Sequence, residues 1–80
     1  MAQDLIALNQ LQIGESGTIQ AYQAQNDIQT RLRELGLVRG TKVMLKRLAP
    51  FGDPMELVVR GYNLSIRKKD AGDILIKKIS

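Results

Sequence analysis

Apolar and polar side chains alternate along SGTIQAYQA (residues 16–24), with Ile19 and Ala21 on one face and Thr18, Gln20 and Tyr22 on the other. A period of two predicts a strand with one side buried. The same period runs through TKVMLKRLA, MELVVRG, NLSIR and DILIKKI. In these segments Val43 and Leu45, then Met55, Leu57 and Val59, then Leu64 and Ile66 are assigned to the inside. Ahead of them, Leu5, Ile6, Leu8 and Leu11 form a short apolar lead-in closed by Gly14, expected to pack on the body of the fold.

One segment carries a different period. Ile28, Leu32 and Leu35 fall at i, i+4 and i+7, the spacing of one helix face, while Arg31, Arg33 and Glu34 point elsewhere. Asn26 is placed to cap this helix and Gln29, three residues on, to complete a capping box. Gly36 can adopt the left-handed conformation that ends a helix, with Leu37 folding back onto the last turn. KKDAG predicts a single helical turn ended by Gly72. In PFGDP, Gly52 supplies a turn and Pro54 biases Asp53 to an extended conformation, where an aspartate commonly bonds its own backbone.

About five short strands and one helix make a mainly β fold, and at this length a small barrel is the architecture that leaves few open edges. Eighty residues are expected to make one domain, 1–80. The N-terminal apolar run is too short for a signal peptide or a membrane span, and no later stretch approaches the ~20 apolar residues a spanning helix needs.

Composition then narrows the chemistry. Histidine and cysteine are both absent. That removes the commonest general base at neutral pH, thiol nucleophiles, and the ligands that transition metals favour. The carboxylates of Glu15, Asp53, Glu56, Asp70 and Asp73 sit in or beside predicted turns, and no phosphate-binding glycine loop is present. The chain is therefore expected not to be an enzyme, to need no cofactor, and to bind transition metals weakly at most. A reducing, cytoplasmic setting suits a cysteine-free small domain. The net charge of +4 invites an anionic partner, but the bases are scattered and only three aromatic residues occur. Strand-based nucleic-acid binders use more rings for stacking, so nucleic acid is the lesser reading.

Met44 and Leu48 interrupt the lysine-lined face of TKVMLKRLA. Either a bent strand contributes to the core from both sides, or an apolar patch is left for a partner. On the second reading Met44, Leu48, Phe51 and Met55 share a working surface at one end of the barrel, with Lys46 and Arg60 on its rim and Asp53 at its corner.

Three pieces in order, Leu35-Gly36-Leu37 with Gly40, Ala49-Pro50-Phe51-Gly52-Asp53-Pro54, and Arg67-Lys68-Lys69-Asp70-Ala71, resemble the ferrous iron transport protein A (FeoA) family, the likeness running from about Leu11 to Ile79. The resemblance implies an SH3-like barrel. It also implies a small cytosolic accessory or regulatory protein whose partner is the membrane ferrous iron permease FeoB, through the permease's GTP-binding part. Self-association stays open, as do two other roles for such a barrel: binding nucleic acid, and metal-responsive regulation.

Overall fold

The computed structural model describes residues 4–79. Its strands are β1 (Leu5–Ala7), β2 (Ser16–Tyr22), β3 (Lys42–Leu48), β4 (Met55–Val59), β5 (Tyr62–Ile66) and β6 (Ile74–Ile79), with helices α1 (Asp27–Glu34) and α2 (Lys68–Ala71) and a 3₁₀ turn at Leu8–Gln10. They form one antiparallel sheet in the order β1-β6-β2-β3-β4-β5. Alternation predicts five of these strands. The sixth, β1, is three residues of the apolar lead-in, too short to show a period. The sheet's two outer strands are brought together through their successors: the 3₁₀ turn packs on α2, and the Asn9 side-chain amide donates to the Lys68 carbonyl at 3.0 Å. This closure agrees with the expected barrel.

The core joins Leu8 and Leu11 to Ile19, Leu32, Leu37, Val43, Leu45, Met55, Leu57, Val59, Ile66, Ala71, Ile74 and Ile76. Gly17 belongs to this packing because a Cβ there would lie 2.6 Å from Ile76 Cδ1, on the neighbouring strand.

Two bulges change which way the strands face. In β2 the pairing with β6 passes from Ile19↔Ile76 to Ala21↔Leu75, so Gln20 is an extra residue. Ala21 is consequently exposed and Tyr22 turns inward, the reverse of the predicted facing. The Tyr22 hydroxyl donates to the Leu37 carbonyl at 2.6 Å. In β3 the pairing with β4 passes from Leu45↔Leu57 to Arg47↔Glu56, making Lys46 the extra residue. Leu48 is thereby turned onto the core, while Met44, before the bulge, stays on the outer face.

Helix α1 also departs from its predicted face. Asn26 Oδ1 accepts from the Gln29 N–H at 3.0 Å, as expected of the cap. Gln29 does not complete the box, however: its side chain is buried, 1% exposed, with both polar atoms unpartnered among the described residues. Leu32 is buried, but Ile28 and Leu35 are 49% and 43% exposed. The reason lies in the helix end. Gly36 takes φ +109°, the Leu37 N–H donates to Leu32 O at 3.1 Å, and the Gly36 N–H donates to Arg33 O at 3.0 Å. This Schellman closure folds Leu37 under the last turn, where it occupies the core in place of Leu35.

Asp53 does not bond its own backbone. Its carboxylate accepts from the Lys68 N–H at 2.9 Å and so satisfies a free donor at the start of α2. The corner itself is held by the Gly52 N–H to Ala49 O at 2.7 Å and the Ala49 N–H to Pro54 O at 3.1 Å, with a cis Asp53–Pro54 bond.

Candidate partner-binding surface

Residues directly paired across antiparallel strands share a face. The pairings Ile79↔Ser16, Ser16↔Met44 and Met44↔Val58 therefore line up an apolar row across β6, β2, β3 and β4, interrupted only by a serine. Two residues along the strands, Lys77↔Thr18 and Thr18↔Lys42 make a second row on the same face. Arg60, in the turn that follows Val59, joins it at the groove that it lines together with Lys42. Between the rows lies a groove of about 350 Å³ lined by Ser16, Lys42, Val43, Met44, Val58 and Arg60. Ile79 is 40% exposed, and Met44 and Val58 are half-buried.

Lys42, Lys77 and Arg60 are exposed, and none of them is in an ion pair among the described residues. The carboxylates nearby are already engaged. Glu56 pairs with Arg47, and Glu15 with Lys78 at 2.5 Å. The hydrogen bond from Lys78 holds the Glu15 carboxyl below its usual range, helped by the Gln12 N–H. Arg60 itself sits in the left-handed region, φ 49°, in the two-residue turn it forms with Gly61. That conformation is tolerable in such a turn, and its guanidinium is anchored by donating to Thr41 Oγ at 3.2 Å. Tyr22 lies off this face, under Arg33 at 4.3 Å from the ring centre, with burial pushing its phenol pKa up.

The seven residues singled out from sequence do not form one patch. Met44 and Arg60 line the groove, and Lys46, the bulge residue, is exposed two positions along β3 from Met44. Phe51 stands at the tip of the β3–β4 hairpin, 99% exposed. Leu48 is half-buried against the core, and with Pro50 and Pro54 it lines a separate depression. Asp53 caps α2. Met55 is fully buried, which corrects its assignment to a working surface: as the first residue of β4 it pairs with Leu48 and Ile66 and faces inward. The groove residues that sequence reading missed are Ser16, Lys42, Val58 and, along the rows, Lys77 and Ile79. Val58 gave a signal, as an apolar residue among Glu56 and Arg60 on the polar face of its strand.

Among the described residues no three carboxylates converge as a metal site would require, and no helix is long and apolar enough to cross a membrane.

The model of the FeoA domain family matches residues 6–78. An Fe(2+) transport protein A/Fe(2+) transporter FeoB fusion protein of Porphyromonas gingivalis is 30% identical over 73 residues, which are 91% of this chain but only 9% of the fusion protein. The solution structure of a FeoA-like protein from Clostridium acetobutylicum is 34% identical, superposes with a TM-score of 0.89, and is covered to 92% by the whole of this chain. A zinc complex of Stenotrophomonas maltophilia FeoA, described as an SH3 domain protein and suggested to be a ferrous iron transport activating factor, is 26% identical with a TM-score of 0.78 over 90% of this chain and 93% of that one.

Proposed function

The chain belongs to the FeoA family of ferrous iron transport, with its SH3-like fold, and we propose that it acts in ferrous iron uptake as a single non-enzymatic accessory domain that docks on the cytosolic part of the permease FeoB. The observation that carries this reading is the apolar row at Met44 and Val58 beside three cations that form no ion pair among the described residues, a surface with the chemistry of an interface. The fusion protein of P. gingivalis supports the choice of partner, since a covalent link holds two modules at high effective concentration. Docking of this kind places the chain on the cytoplasmic side, peripheral to the membrane. Met44, Lys46 and Arg60 are the residues assigned to the contact, with Lys42 and Val58 added, and the exposed Phe51 at the hairpin tip is a separate candidate contact.

The test is capture of the purified permease cytosolic portion by the immobilised chain. Truncating the row with Met44→Ser and Val58→Ser is expected to weaken capture about tenfold, the effect of losing central apolar contacts, while circular dichroism stays unchanged. Capture that is indifferent to both changes, with Phe51→Ser added, would remove this surface from the interface.

A further inference from the structure

The two rows differ in kind and run side by side, and that arrangement constrains what can cover them. An extended segment presents one row of side chains to a surface, because its alternate residues point away. A helix carries two adjacent stripes along one axis, an apolar one and a charged one beside it. The rows cross four strands, Ile79 and Lys77 at one end and Val58 and Arg60 at the other, so at about 4.8 Å per strand they extend roughly 14 Å. That is the length of about ten helical residues. We propose that the groove face takes an acidic amphipathic helix lying across the strands, its apolar stripe on Ile79, Met44 and Val58 and its carboxylates on Lys77, Lys42 and Arg60.

Charge makes the choice between occupants. A second copy docking through the same face would set three cations, unpaired among the described residues, against three more. A bilayer surface is met by protruding apolar groups, whereas Met44 and Val58 at the centre of the face line a depression. Nucleic acid would find no aromatic ring on the face for its bases to stack on. The inference rests on the docking reading, naming the kind of segment that the permease's cytosolic portion presents.

The experiment measures binding of that cytosolic portion at about 50 mM and about 500 mM salt, which spans the range over which exposed charges are screened. With Lys42→Glu and Lys77→Glu together, binding at low salt is expected to fall about tenfold or more, and the loss should shrink at high salt. Lys42→Gln with Lys77→Gln should give a smaller loss in the same direction. Arg31→Glu with Arg39→Glu applies the same charge change to exposed residues outside the two rows, and is expected to alter binding less than about threefold. Thermal melts of all variants should match the parent. If the parent binds and the Lys42/Lys77 reversal has no larger effect than the Arg31/Arg39 one, the helix inference falls while the docking reading stands. If the parent does not bind the permease portion at all, both fall. Tighter binding of the parent to phosphatidylserine vesicles or to a single-stranded RNA than to the permease portion would also overturn the inference.

Discussion

The β3–β4–β5 meander and helix α1 bury apolar side chains by different means. In the meander, Val43, Leu45, Met55, Leu57, Val59 and Ile66 all lie at 4% exposure or less, and each faces inward because a ladder of hydrogen bonds sets the facing of its neighbours too. In α1 only Leu32 and Gln29 are buried, while Ile28 and Leu35 stand half in solvent. A helix satisfies its own backbone, so nothing in its hydrogen bonding decides which side meets the sheet. Its rotation is fixed at the ends, here by the Asn26 cap and by Gly36, and the side presented is a compromise with Leu37 filling the space below. The difference is one of constraint: a strand's face is determined residue by residue, a short helix's face by how two ends are tied.

The sharpest way to break this comparison is to truncate one core leucine in each region. Leu57→Ala, fully buried in the centre of the meander, is expected to cost about 2–5 kcal/mol in urea unfolding. Leu32→Ala, at 6% exposure on a helix that can shift to fill part of the gap, is expected to fall near the lower end of that range, about 2 kcal/mol. A Leu32 loss equal to or above the Leu57 loss would mean that α1 is tied as tightly as the strands. An effect of opposite sign is expected at Gln29, whose buried amide has no partner among the described residues. Gln29→Leu removes the unsatisfied groups at similar volume and is expected to raise stability by about 1–3 kcal/mol, read as a higher melting temperature. A lower melting temperature would show that the amide is satisfied in solution. The smallest effect belongs to the face that periodicity assigned to the core. Ile28→Ser and Leu35→Ser are each expected to change stability by no more than about 0.5 kcal/mol, and a loss above about 2 kcal/mol for either would restore the predicted face.

Much of the fold was legible in the amino-acid sequence, and the candidate surface much less so. Five strands, the helix with its Asn26 cap and Gly36 stop, and the inward residues of β4 follow from patterns that are complete within a few neighbours, since alternation, capping and left-handed turns are local physics. Met44 and Arg60 could be named as surface candidates for the same reason. Leu48 and Met44 looked equivalent along the chain because a bulge has no signature in the pattern. Only the pairing of β3 with β4 made Lys46 the extra residue and separated the two. Asp53 was legible as a corner, but its partner at Lys68 lies fifteen residues away across the fold. The two rows are the extreme case. Ser16, Met44, Val58 and Ile79 come from four different strands, and Lys77, Thr18 and Lys42 from three, joined by Arg60 from the turn after β4. Strand register alone sets them side by side, and register is an outcome of the whole core closing at once, so no stretch of this sequence could have shown them.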